Sequence, residues 1–130
     1  MKKLFAFFSL LTALIFAVTP LSAHHGRGAT YDMKKEVSLK GTISEVSWRN
    51  PHIAVSVDVK DADGKTTTWV IEHSNITTLA MQGYGRTTLQ VGMEITAVVH
   101  PGTGGKPVGL CMKFVLPNGK EVFERNQGVD

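Results

Sequence analysis

The chain has 130 residues, one cysteine, five histidines and a formal net charge of +3. A single cysteine excludes an intramolecular disulfide, so the packed core alone must hold the fold. The length suits one small domain behind a leader, and no run of Lys or Arg offers the row of phosphate contacts that nucleic acid requires.

The leader comes first. Lys2 and Lys3 precede an apolar stretch from Leu4 to Val18, which ends in the small-residue segment Thr19-Pro20-Leu21-Ser22-Ala23. This layout predicts a secretory signal peptide over 1–23, and with it a periplasmic or secreted protein. The stretch is short for a membrane span, no second one follows, and no cysteine stands near the cleavage region to take a lipid anchor. Cleavage would leave 107 residues carrying +1, because Lys2 and Lys3 depart with the leader. The mature chain would then start at His24 with a free α-amine. Residues 24–35 are expected to be a flexible segment, 36–124 the folded domain and 125–130 a C-terminal tail.

From Val37 the pattern is that of strands. Val37, Leu39 and Ile43 alternate with polar residues, and the apolar parity then shifts to Val46 and Trp48. A shift of one inside a strand predicts a bulge near Ser44-Glu45. Arg49-Asn50-Pro51 breaks this strand. Ile53, Val55, Val57 and Val59 alternate strictly in a second one, and Asp61-Ala62-Asp63-Gly64 predicts a hairpin turn. A third strand runs from Lys65 to His73. Ser74-Asn75 supplies an N-cap for a short helix over Ile76–Gln82, with Gly83 as its C′ residue. A fourth strand is expected over Met93–His100, and a loop over Pro101–Pro107. A fifth covers Val108–Leu116, and Pro117-Asn118-Gly119 turns into a last short pairing at Glu121–Phe123. Three meandering strands, a helix and two more strands give an all-β domain with one short helix. The matching architecture is an OB-fold-like five-stranded small barrel, with a small β-sandwich as the alternative.

The histidines carry the candidate chemistry. The α-amine with the imidazoles of His24 and His25 forms a nitrogen-rich terminus suited to copper(II) or zinc. The common amino-terminal copper motif places its histidine third, where this chain has Gly26. His52 is the third candidate metal ligand. Its parity in the second strand puts it opposite the apolar face of Ile53 and Val55. In an OB-fold barrel the loop between strands one and two and the loop between strands four and five flank the binding surface. Trp48, Asn50 and His52 lie on the first of these loops and His100 opens the second, so these four are the candidate ligand-binding residues, with His52 and His100 facing each other across one rim. Each has a plainer reading as well. Asn50-Pro51-His52 would serve as a turn that caps exposed backbone, His100 as a strand end, and Trp48 and Trp69 as core or rim aromatics. His73 reads as structural, with Glu72 left open and on the opposite face. Cys111, inside Val108–Met112, reads as a buried thiol rather than a reactive one. No nucleophile-and-base pairing, phosphate-binding glycine loop or two-cysteine metal knuckle is present, so no catalytic residue is assigned.

Several segments together resemble a family of small exported bacterial proteins catalogued as domain of unknown function 6152. They are Ala23-His24-His25, Leu39-Lys40-Gly41-Thr42, Trp48-Arg49-Asn50-Pro51-His52, Asp61-Ala62-Asp63-Gly64-Lys65, Trp69 with Glu72, Gly83 to Leu89, Gly92, and Leu116-Pro117-Asn118-Gly119. The resemblance implies an exported single-domain β protein and brings no activity or ligand with it. This chain has Gly26 and Tyr84 where the family often has Ser and Trp. The His-first terminus alone is also similar to periplasmic copper carriers and to copper oxygenases with a histidine brace. Two functions follow as expectations. One is an exported binding domain that takes copper(II) or zinc through His24, His25 and His52. The other is a metal-free protein or peptide interaction module of the cell envelope.

Overall fold

A computed structural model describes residues 26–124 of the chain. The expected signal peptide, His24, His25 and the C-terminal tail lie outside the described residues. Six strands and two short helices follow one another as α1 (Gly26–Thr30), β1 (Val37–Ser47), β2 (Ala54–Lys60), β3 (Thr66–Glu72), α2 (Ile76–Met81), β4 (Glu94–Pro101), β5 (Val108–Val115) and β6 (Glu121–Phe123).

Strand alternation sets the pairing. Val55, Val57, Ile71, Ile95, Ala97, Val99 and Phe114 turn their side chains to one interior and are all buried. The neighbouring polar positions face out, as a period of two requires. β1 pairs antiparallel with β2 on one side and with β4 on the other, β2 pairs with β3, and β4 with β5. The barrel closes where β3 and β5 run parallel, with Val70 opposite Val108 and Glu72 opposite Leu110. The ring order β1-β2-β3-β5-β4, with the helix between β3 and β4, is that of an OB-fold barrel. Closure through a parallel pair rules out the β-sandwich alternative. β6 only extends the edge, as a hairpin on β5.

The first strand must serve two neighbours, and it bends to do so. Ile43 pairs with Val57 and Glu45 with Ser56, which leaves Ser44 as an extra residue, the expected bulge. Just before it, β1 passes so close to β2 that a Cβ on Gly41 would stand 2.4 Å from the Asp58 carbonyl oxygen and 2.8 Å from Val57 Cγ1. Backbone cannot swing aside as a side chain can. Gly41→Ala is therefore expected to cost about 2 kcal/mol by overpacking, read as a lowered midpoint in urea unfolding. An unchanged midpoint would mean that the two strands part freely here.

The connections follow their turn chemistry. Asp61 Oδ1 accepts from the amides of Asp63 and Lys65 at 3.0 and 2.9 Å, and Gly64 takes φ +81° to close the hairpin. Asn75 caps α2 by accepting from the Thr78 amide at 2.8 Å, and Gly83 leaves the helix at φ +84°. α2 inserts Leu79 into the core, where it is fully buried with Leu89.

The segment before β1 holds more structure than the sequence suggests. α1 leads into Tyr31, which is buried and bridges to Gly102 in the β4–β5 loop. The Asp32 amide donates to the Pro101 carbonyl at 2.8 Å, and the Thr103 hydroxyl reaches the carbonyls of Ala29 and Thr30. No helix among the described residues is long and apolar enough to cross a membrane.

Candidate functional site

The site is built around the carboxylate of Glu72, the last residue of β3. Glu72 pairs with Ala54 across the β2–β3 ladder, so His52, two residues before Ala54, shares its outer face. His52 Nδ1 stands 3.2 Å from Glu72 Oε1. The other oxygen, Oε2, accepts from the Tyr31 hydroxyl at 3.1 Å. One carboxylate thus joins the β1–β2 loop to the chain that leads down from the N-terminus. Burial and the adjacent Glu72 push the Tyr31 hydroxyl up to about 12, so it remains a proton donor at every working pH.

His52 is open to a ligand, with its side chain 42% exposed. In the neutral ring a carboxylate beside Nδ1 favours the tautomer with the proton there, which leaves the Nε2 lone pair free. Metal-binding histidines commonly have this carboxylate-oriented form. His100 is arranged similarly by a different partner. Its Nδ1 lies 2.7 Å from the Lys35 carbonyl, which can only accept, so Nδ1 carries the proton and Nε2 is again the free nitrogen.

The four residues expected to bind a ligand have separate surroundings. No hydrogen bond or ion pair among the described residues joins His52 with His100. Asn50 is occupied structurally, because its carboxamide oxygen meets the Ile76 amide at 3.5 Å, at the start of α2. Trp48 is half-buried against the core. Among the described residues no group of three or more His, Cys, Asp and Glu side chains gathers as a metal cluster. A nitrogen-rich metal set at His52 therefore needs donors from outside them, and His24 and His25 lie there.

His73 follows Glu72 in sequence yet faces the opposite way, as adjacent strand residues do. It is fully buried, with its ring 5.1 Å from that of Phe114. Its Nδ1 accepts the Ser74 amide at 2.7 Å, while Nε2 has no hydrogen-bond partner. Burial pulls His73 down to about 4, with the Val122 backbone and the Glu124 carboxylate working weakly the other way. The residue is a neutral core imidazole. Cys111 is buried too, and its thiol is pushed well above the usual range by burial and by Glu124. It is not a reactive thiolate.

Tyr31 is the contributor that sequence reasoning missed. Its only signal is an isolated aromatic side chain in a polar stretch. Glu72 is better marked, since strand parity with His52 is readable once the hairpin register is known.

A closed OB-fold-like barrel with a polar, histidine-bearing rim is the class these features define. The chain belongs to the Family of unknown function (DUF6152), whose model matches residues 13–112, as the sequence segments suggest. A search of curated proteins finds no match. Among solved structures, the chain is similar to Rim1, a mitochondrial single-stranded DNA binding protein from S. cerevisiae, at 14% identity and a TM-score of 0.48. That likeness covers 64% of this chain and 93% of the Rim1 chain.

Proposed function

We propose that this chain is a small exported binding domain that takes copper(II) or zinc through His24, His25 and His52. The observation that carries the reading is the contact series Tyr31–Glu72–His52. Glu72 engages His52 at Nδ1, which leaves Nε2 for a ligand, and the same carboxylate ties down Tyr31. Tyr31 is the sixth residue after His25, a span of about 20 Å at full extension. The helical turn over Gly26–Thr30 shortens that reach. A terminus on a tether of that length is within reach of His52, which shares the Glu72 carboxylate with Tyr31. Three or four nitrogens of this kind form a borderline donor set that suits copper(II) and zinc. Folding does not require the metal, because the strands bury their own core.

The test is calorimetric titration of copper(II) and zinc into the mature protein with an authentic His24 terminus. A form with one extra N-terminal residue and the His52→Ala variant run beside it. One-to-one binding that weakens at least tenfold in both supports the two-part site. Affinity indifferent to both changes removes it. The reading as a metal-free interaction module then takes its place, favoured by the joint exposure of Asn50, Pro51 and His52 on the β1–β2 loop.

A further inference from the structure

A second cluster of donor atoms lies outside the site described above. Between the segment after α1, the end of β4 and the middle of β5 is an open cleft of about 260 Å³. Met33, His100, Cys111 and Met112 line it, with Arg27 and Glu124 at its side. Leu110 completes the lining, so four of its seven residues carry soft or nitrogen donors, drawn from three separate stretches of chain.

The register explains how they meet. In the β4–β5 ladder Val98 pairs with Lys113 but Val99 pairs with Cys111, so Met112 is the extra residue of a bulge. A bulge re-aims the side chain it carries. Here it brings a half-buried thioether to the cleft that also holds His100, the ladder partner of Leu110. Met33 comes from the other side. The Asp32 amide bonds to Pro101, and Lys35 offers its carbonyl to His100 Nδ1, so residues 32–35 are tied to the end of β4. In the neutral ring that same bond makes Nε2 the nitrogen with the free lone pair. Met33 is 45% exposed, so its thioether is accessible from solvent. Arg27 and Glu124 neutralise one another across a 3.3 Å ion pair, so the cleft has no strong local charge of either sign.

We propose that this cleft binds a soft monovalent metal ion, copper(I), through Met33 Sδ, Met112 Sδ and His100 Nε2. Two thioethers and one imidazole are neutral donors, which favour a soft d10 cation and discriminate against zinc and copper(II). Cys111 also lines the cleft, but it is buried with the core and is not required as a ligand. This site is independent of the terminal histidines.

The experiment measures copper(I) affinity of the mature protein under anaerobic conditions, by competition with a chromophoric copper(I) chelator. X-ray absorption on the bound metal reports sulfur and nitrogen ligation. The expected result is one copper(I) per chain with two sulfur ligands. Affinity should fall at least tenfold in Met112→Leu, Met33→Leu and His100→Ala, and stay unchanged in His24→Ala/His25→Ala and in Cys111→Val. Met→Leu nearly conserves volume, so circular dichroism should show those variants folded. Absence of copper(I) binding overturns the proposal. So does affinity that survives both methionine changes, or that disappears only with Cys111 or with the terminal histidines. Failure of the copper(II) site described earlier would leave this result untouched.

Discussion

Lowering the pH from 7 to 4 should cost the folded domain about 3 kcal/mol through His73 alone. The buried ring keeps its neutral form down to about pH 4, whereas an unfolded chain protonates it at its ordinary value near 6.5. Between these two values the unfolded state binds a proton that the folded state does not. Stability from this group is therefore complete above about pH 6.5, falls as the pH drops toward 4, and changes little below that. The Val122 backbone and the Glu124 carboxylate favour the charged ring less than burial opposes it, and Nδ1 already accepts from Ser74 beside Phe114. Protonating Nδ1 would remove the acceptor from the Ser74 amide as well. The check is urea unfolding at several pH values, comparing the natural sequence with His73→Phe. The variant gives up the Ser74 bond, so its stability at pH 7 is not the readout. The readout is the difference in slope between pH 6.5 and 4, which should be present in the natural chain and largely absent in the variant. Parallel slopes would show that His73 gains a counter-charge or water on acidification.

Most of the barrel was legible because its signals are local. Alternation at Ile53–Val59, the Asp61–Gly64 turn and the Asn75 cap each need only a few neighbouring residues, and each stands where the sequence puts it. The β1 bulge was legible for the same reason, as a one-residue slip in apolar parity. The β5 bulge was not. Leu110, Cys111 and Met112 are all apolar, so no change of parity marks Met112 as the extra residue. Barrel closure depends on Val70 meeting Val108 in parallel, a pairing across a helix, a strand and a loop that no local pattern encodes. The site divides along the same line. His52 is marked by its position in the sequence, but its carboxylate partner follows from the β2–β3 register and its link to Tyr31 from packing over the β4–β5 loop. His52 sits on the β1–β2 loop and His100 near the end of β4, and each is held by its own acceptor, Glu72 for one and the Lys35 carbonyl for the other.

Glu72→Ala should weaken copper(II) or zinc binding by about 10- to 100-fold, although the carboxylate itself need not touch the metal. Two losses combine in this one change. His52 loses the oxygen beside Nδ1 that selects the tautomer with a free Nε2, and Tyr31 loses one of the contacts that hold the N-terminal segment against the barrel. Tyr31→Phe separates them, because it keeps the His52–Glu72 contact and removes only the hydroxyl. It should therefore weaken binding by a smaller factor, roughly that of one hydrogen bond, about fivefold. Combining the two changes should cost no more than Glu72→Ala alone, since the Tyr31 hydroxyl has no role once its acceptor is gone. Glu72 is half-buried at the end of a strand, so its removal leaves the core intact and the unfolding midpoint nearly where it was. Competitive titration of the mature protein with an authentic His24 terminus measures all three. Full affinity in Glu72→Ala would mean that His52 orients itself or takes no part. Equal losses in Tyr31→Phe and Glu72→Ala would assign the whole effect to tethering of the terminus, and would reduce His52 to a bystander.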